Sequence, residues 1–491
     1  LNLLAGHEYY RYKYNYANGE KTGIVGGIDE LGPAVTTTDN NSYSHNYGVE
    51  SYLARVNYGF KSRYYVDASW RTDGSSRFHP GDRWGHFWSV GASWRISEEQ
   101  FMENTRQWLD NLTLKVSYGV QGNDNLGTYY AWQGLYDYTW PNATDAGAFV
   151  DKLENREVTW EKNGNLNAGI EATMLGGRLG VSVEYYNRKT RDMLLNSPLP
   201  ISTGFTGFND NVGSLRNQGL EVSLRGTILD KRDFRWDATL MGSFNRNKVL
   251  SLTGGQDVIT SGIRVIEVGR PIYTFYLPKT AGVDPATGKQ LYYAYWTQTV
   301  NDEGSLVNTR CDEYITDNVA MATLSKYYHE SREPKLFGSI GSTFTILKNI
   351  DVSFLTTYSI GGWVYDGLYN GSMYVQYAGN NWHKNAKRRW QKPGDKTDVP
   401  MLEVGGSYAT ADNSLIDASY FAIKNITVGY TLPKRWLKKI DIESLRIYAT
   451  LDNIAMFNHM DGMDPQYNFT GSVAYSYTPS RVIAFGIDLN F

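Results

Sequence analysis

From Arg481 to Phe491 the chain alternates without a break. Ile483, Phe485, Ile487, Leu489 and Phe491 fall on one side of an extended strand, and Val482, Ala484, Gly486, Asp488 and Asn490 on the other. The same period of two recurs in fourteen segments, near 1–14, 47–60, 62–73, 84–96, 109–121, 163–174, 178–190, 215–228, 233–246, 335–347, 349–361, 418–431, 443–455 and 481–491. Each runs for about ten residues or slightly more, the length a tilted strand needs to cross a bilayer. Phe234, Trp236, Ala238, Leu240 and Phe244 oppose Arg235, Asp237, Thr239 and Ser243; Leu445, Ile447, Ala449 and Leu451 oppose Arg446, Tyr448, Thr450 and Asp452. The pattern predicts an all-β protein, a transmembrane antiparallel β-barrel with one face toward lipid and one toward a polar lumen.

One segment changes phase. Phe421 and Ile423 are odd, whereas Ile426, Val428, Tyr430 and Leu432 are even. A one-residue slip would turn half of them into the lumen, so the sequence predicts a β-bulge near Lys424–Asn425. The connections sort into two sets. Lys61, Leu175–Gly177, Leu229–Arg232 and Lys348 are short, with longer members at 97–108 and 432–442; 15–46, 122–162, 191–214, 247–334, 362–417 and 456–480 are long, and 74–83 is intermediate. Short periplasmic turns and long extracellular loops are the habit of outer-membrane barrels.

Composition agrees with this reading. Hydrophobic residues make up 41% of 491, too few for a membrane helix but enough where only alternate residues meet lipid. The 38 Tyr and 14 Trp suit interfacial girdles and aromatic binding surfaces. A net charge of −3 leaves no nucleic-acid footprint. Cys311 is the single cysteine, so no disulfide forms within the chain, and nothing nearby supports a catalytic or metal role. Leu1 already lies in a predicted strand, with no signal peptide before it. The N-terminal part of a longer protein is therefore expected upstream.

Several stretches carry a family resemblance: Y-L-A-R-V-N-Y (52–58), R-T-D-G-S-S-R-F (71–78), W-S-V-G-A-S-W-R-I-S-E-E (88–99), N-V-G-S-L-R-N-Q-G-L-E (211–221), A-G-V-D-P-A-T-G (281–288), Y-F-A-I-K-N-I-T-V-G-Y-T-L-P (420–433) and D-N-I-A-M-F (452–457). Together they resemble the SusC/RagA family of TonB-dependent outer-membrane transporters of Bacteroidetes, nearly end to end. The resemblance implies a barrel of about 22 strands, of which these fourteen are the C-terminal part, with the plug domain absent from this chain. It also implies a SusD-like surface lipoprotein as lid, TonB acting through the missing N-terminal region, and contact with membrane lipid and lipopolysaccharide. A dimer of barrel–lid pairs stays open. The implied function is energy-coupled import of an oligosaccharide or, close behind, an oligopeptide, with no enzymatic step and no cofactor.

Other features read differently. Gly282 to Lys289 imitates a phosphate-binding loop, but the spacing is one residue too long and Gln290 replaces Ser/Thr, so Asp284-Pro285-Ala286-Thr287-Gly288 reads as a turn. His7, His45, His79 and His86 form no metal-binding spacing. Asp312, Glu313 and Asp317, like the basic run Lys384, Lys387, Arg388, Arg389 and Lys392, read as solvated loop faces. Lys434, Arg435, Lys438 and Lys439 with Trp436 suit an anchor at the inner leaflet, and the Asn-x-Thr patterns at Asn111, Asn142, Asn425 and Asn468 lose meaning in a bacterial outer membrane. The best ligand signal is aromatic. Trp132, Tyr136, Tyr138 and Trp140 cluster in one long loop, Trp363, Tyr374, Tyr377 and Trp382 in another. Trp132, Trp140, Tyr374 and Trp382 are the expected ligand-binding residues, since a ring face stacks on a sugar or holds an apolar side chain; the competing role is packing the loops or meeting the lid. Two other functions stay open: a structural scaffold in a larger outer-membrane assembly, and a rim hydrolase, for which no motif is visible.

Overall fold

The computed structural model describes the chain except for 141–142, 146, 253–256, 375–378, 404, 439–441, 467–469 and 474–476. Asn142, Asn468, Tyr377 and Lys439 therefore lie outside the described residues. One fourteen-stranded sheet dominates. Its strands are β1 (Asn2–Thr22), β2 (Thr36–Phe60), β3 (Tyr64–Ser75), β4 (Trp84–Arg95), β5 (Leu109–Asn123), β6 (Glu161–Met174) and β7 (Leu179–Arg191). There follow β8 (Ser214–Lys231), β9 (Phe234–Ser251), β10 (Leu336–Ile346), β11 (Ile350–Ile360), β12 (Tyr420–Thr431), β13 (Ser444–Asn458) and β14 (Val482–Asn490). Each pairs antiparallel with its neighbours in sequence, an up-and-down meander that covers all fourteen predicted segments. Among the described residues no helix is long and apolar enough to cross a membrane.

The two faces separate as the alternation predicts. Trp236 pairs with Phe344 and Leu240 with Ile340 on the outer face. Arg235 reaches Asp237 on the inner face (2.7 Å), and Arg446 bridges Asp351 (2.7 Å) and Asp488 (3.1 Å) there, with its guanidinium over Tyr448. Outer aromatics form bands. Phe60–Tyr64–Trp94 and Trp236–Phe344–Phe354 lie toward the short turns, with ring centroids 5.8–6.5 Å apart. Tyr52–Trp84 and Phe421–Phe457 lie toward the long loops. Amphipathic rings favour the two membrane–water boundaries.

The predicted bulge is present. Leu355 pairs with Asn425 but Thr356 with Ile423, so Lys424 is the extra residue and both runs of apolar side chains stay outside. The tightest turns place two non-glycine residues at positive φ, Lys61 and Ser62 (51° and 55°) and Leu347 and Lys348 (49° and 63°). That geometry matches the twist of a two-residue hairpin.

Two long connections differ from expectation. Residues 15–46 are mostly strand, since β1 and β2 pair from Asn2–Asn57 to Thr22–Thr36 and leave 23–35 as the loop. The alternating tyrosines explain it: Tyr10, Tyr12, Tyr14 and Tyr16 keep period two, and tyrosine favours strands. The 247–334 connection carries sheet of its own, in strands Val258–Ser261, Arg264–Glu267, Thr274–Val283, Gln290–Val300, Leu306–Thr316 and Lys326–Ser331.

The long loops interlock in two groups. In the first, Phe78, Phe87, Ala131, Val158, Trp160 and Leu194 form a buried cluster. The Trp160 indole N–H donates to the Arg83 carbonyl (2.7 Å), and the Asn211 amide donates to the Thr159 and Asp192 carbonyls. In the second, Tyr365 pairs with Ser472 in a short parallel bridge, the Tyr292 hydroxyl accepts from the Ala409 N–H (3.1 Å), and Asp412 accepts from the N–H and hydroxyl of Thr280. The Asp284–Gly288 segment is the expected turn, with Gly288 at φ 76° donating to the Asp284 carbonyl. The Trp390 indole donates to the Pro285 carbonyl beside it.

Leu240 is exposed near the middle of the outer face of β9, and Thr239 faces inward beside it. Leu240→Arg should cost about 2–4 kcal/mol in lipid and Thr239→Arg much less, measured by denaturant unfolding in vesicles. Equal losses would put the register out by one residue.

Candidate functional site: an amide-lined shelf on the lumen wall

The inner face of β5 to β9 is rich in carboxamides because asparagine recurs at every second position, at Asn163, Asn165 and Asn167 on β6 and at Asn245 and Asn247 on β9. Two-residue spacing puts them on one face. They are held by their neighbours. The Thr190 hydroxyl donates to Asn163 (2.6 Å), Arg188 to Asn165 (2.6 Å), the Tyr186 hydroxyl to Asn245 (2.7 Å) and the Asn247 amide to Asn217 (2.8 Å).

Three recesses run along this wall. The first, about 370 Å³, reaches from Asp67 and Arg71 to Asn165 and Asn167. The second, about 430 Å³, shares those two asparagines and continues past Glu184 and Arg188 to Asn217 and Asn245. The third, about 400 Å³, shares Tyr186, Asn217 and Asn245 and ends under the loops at Glu333, Phe337 and Tyr420. Shared linings make them one continuous shelf.

At its loop end Glu333 accepts from the Asn245 side chain (2.5 Å) and the Asn247 N–H (2.7 Å), tying the base of the 247–334 loop to the rim of β9. Burial pushes this carboxyl above the usual carboxylate range, against the opposing pull of those two donors and of Arg246. Burial likewise lowers the neighbouring Arg332, whose guanidinium donates to the Pro465 carbonyl (2.7 Å). Both charges are thus occupied by the protein. At this loop end the lining offers a ligand amides, hydroxyls and the rings of Tyr186, Tyr273, Phe337 and Tyr420, whereas the two lower recesses also present the carboxylates of Asp67, Glu184 and Glu221.

The rim nearer β2 is fixed by a second network. Arg77 pairs with Asp124 (3.1 Å), both largely buried, and its guanidinium lies over Tyr47 and Tyr129, 4.7 and 5.1 Å from the ring centroids. Asp124 also accepts from the Tyr47 and Ser75 hydroxyls (2.8 and 2.6 Å). The R-T-D-G-S-S-R-F stretch supplies Ser75, Arg77 and the fully buried Phe78. Its residue types are those that lock the 74–83 connection onto the strand ends.

The four sequence-predicted ligand residues are not brought to one place. Trp132 is half-buried against the Phe78 cluster and meets His79 edge-on (5.1 Å). Tyr374 and Trp382 share a cluster with Met373, Ala386 and Val399, where Tyr374 meets Tyr408 (5.1 Å) and accepts from Asn413. Trp140 is 67% exposed, set at a steep angle to Phe149 (ring centroids 6.4 Å apart) and hydrogen-bonded to the Asp137 carboxylate. Loop charges find partners, Lys289 with Asp317, Lys384 with Asp461 and Arg388 with Asp398. The amide shelf was missed because asparagine on a polar face looks like generic lumen; the N-x-N spacing was the available signal.

Glu333 generates a pH prediction. A carboxyl whose folded pKa exceeds its unfolded value contributes stability that is complete below the ordinary carboxylate range and is lost as pH rises through the folded pKa. Glu333→Gln keeps an acceptor without the buried charge. The wild type should lose thermal stability relative to this variant as pH rises from acid to neutral. Parallel melting curves across that range would mean that the carboxylate is not strained by burial.

Comparison with known proteins agrees with this architecture. TonB-dependent receptor P26 of Formosa agariphila is 27% identical over 529 residues, covering 100% of this chain and 51% of the relative. TonB-dependent receptor SusC of Bacteroides thetaiotaomicron is 29% identical over 467 residues, 92% of this chain and 45% of the relative. A solved structure of the RagAB peptide transporter superposes with a TM-score of 0.85 at 28% identity, covering 100% of this chain and 53% of that one. The chain thus spans about half the length of these relatives. Residues 1–454 match the family model of the TonB dependent receptor-like β-barrel. With its SusC and RagAB relatives, this places the strands in the bacterial outer membrane, and the chain belongs to the TonB-dependent receptor β-barrel family, as a SusC-like member.

Proposed function

We propose that the receptor containing this chain imports an uncharged polar oligomer, foremost an oligosaccharide, driven by TonB and capped by a SusD-like lipoprotein. The observation that carries this is the loop end of the shelf, whose open groups are amides, hydroxyls and rings while Arg332 and Glu333 are engaged within the protein. Amides bond sugar hydroxyls in both directions, and ring faces stack on sugar C–H groups. An oligopeptide is the second reading; the likeness to a peptide transporter favours it, and backbone amides suit the same donors and acceptors. A SusC-like scaffold without transport is the rival.

The fourteen strands are, in this proposal, the C-terminal part of a larger closed barrel. Among the described residues the outer edges of β1 and β14 have no strand partner in the sheet, and unpaired backbone groups in lipid cost several kcal/mol each. The long-loop end is assigned to the cell surface. Protease added to intact cells should therefore cut within 122–162, 247–334 or 362–417 and spare 175–177 and 229–232; the opposite pattern inverts the orientation.

Among the loop aromatics Trp140 is proposed to touch ligand directly, and Trp132, Tyr374 and Trp382 to hold the loops that frame it. Trp140→Ala should weaken binding by about 1 kcal/mol with unchanged melting, whereas Trp132→Ala and Trp382→Ala should lower the melting temperature. Uptake of radiolabelled oligosaccharides and oligopeptides by cells with and without TonB tests the function itself. Uptake that persists without TonB, or is unaltered by Asn217→Ala/Asn245→Ala at normal surface levels, would leave the scaffold.

A further inference from the structure

The β1–β2 hairpin is far longer than a membrane crossing requires. β1 has 21 residues and β2 has 25, against about 9–11 for a tilted transmembrane strand, so its distal half stands clear of the bilayer at the long-loop end. One face of that half is built from rings. Tyr10, Tyr12, Tyr14 and Tyr16 alternate along β1, and Tyr47, His45 and Tyr43 stand opposite the last three. This is the face that carries Glu8 and Ser51 lower down, where Arg71 reaches both, so it continues the lumen wall.

The rings form a continuous ladder. Tyr10 meets Tyr47 (6.1 Å), Tyr47 meets Tyr129 (5.6 Å), Tyr129 meets Tyr12 (5.9 Å) and Tyr12 lies nearly parallel to Tyr14 (6.4 Å). Tyr14 meets Tyr43 (6.0 Å) and His45 (6.2 Å), and Tyr43 meets Tyr16 (4.8 Å) at the tip. The base is anchored by Arg77 over Tyr47 and Tyr129. The tip is open to solvent, with Tyr14, Tyr16 and Tyr43 exposed at 37, 36 and 43%. From Tyr10 to Tyr16 this face bears no Lys, Arg, Asp or Glu, whereas Arg11 and Lys13 lie on the opposite face.

We propose that this ladder is a binding strip for a neutral oligosaccharide, which stacks sugar rings on the tyrosines and leads the chain toward the lumen shelf. Three features select that ligand. Between Tyr10 and Tyr16 the face carries no charged side chain, and Arg77 at its base is paired with Asp124 (3.1 Å), so this stretch offers little to an acidic or basic polymer. Its neighbouring ring centroids lie 4.8–6.4 Å apart, and each tyrosine ends in a hydroxyl that bonds sugar hydroxyls at the ring's edge. It also joins the lumen wall without a break at Tyr47, Ser75 and Arg77. The inference rests on the uncharged-oligomer reading above, and the experiment separates the two.

The test is titration calorimetry of the full-length receptor with linear hexasaccharides of glucose, mannose, galactose and xylose. The wild type should bind at least one. Tyr14→Ala/Tyr16→Ala/Tyr43→Ala, which spares the Arg77 anchor, should weaken that binding about tenfold or more, and the matching triple Phe variant should stay within about threefold. Heat-modifiable electrophoretic mobility checks that the barrel is folded. Wild-type affinity in the Ala triple, together with a loss in Asn217→Ala/Asn245→Ala, overturns the strip and leaves the shelf reading standing. Absence of binding by the wild type overturns both. If the Ala triple loses co-purification of its lipoprotein while glycan affinity is unchanged, the face belongs to a protein partner and the strip is overturned.

Discussion

Every part of this molecule depends on one constraint, that backbone N–H and C=O groups surrounded by lipid find partners within the protein. A meander of antiparallel strands satisfies it with the shortest connections, and once adopted it fixes the alternation of every side chain. The Lys424 bulge shows how strictly the constraint rules. Local pairing yields at one residue so that Phe421, Ile423, Ile426 and Val428 all remain outside.

The same ladder explains where chemistry is possible. Outer positions are committed to apolar contact and girdle aromatics, so recognition falls to inner positions and to the loops. On the inner wall, spacing of two turns a short Asn-x-Asn repeat into a column of carboxamides. The β9 column is held by hydrogen bonds from Tyr186 on β7 to Asn245 and from Asn247 to Asn217 on β8. A preorganised polar surface of this kind binds without first having to order its own side chains.

The loops add a second level of organisation. They are knit together by buried clusters and by hydrogen bonds between distant segments, such as Thr280 to Asp412 and Ala409 to Tyr292. Glu333 joins this superstructure to the barrel rim through Asn245 and Asn247. Loop arrangement and shelf geometry are thereby mechanically linked at one carboxylate.

Strand number, strand faces, the bulge and the sorting of short and long connections were all legible in the sequence, because period two is a local property written residue by residue. The expected strand stopped at 14, and the Tyr10–Tyr16 alternation carries it on into what was expected to be a loop. What the chain alone could not convey were relations between residues far apart in it. Trp132, Tyr374 and Trp382 look like free aromatic surface in sequence, yet the fold packs them against Phe78, Tyr408 and Ala386. The shelf, the Arg77–Asp124 anchor and the Glu333 bridge arise only when the register sets Asn217 beside Asn247 and brings residue 333 to residue 245. Local periodicity decided which face each side chain takes; only tertiary pairing decided its neighbours, since hydrogen bonds and burial act through space rather than along the chain.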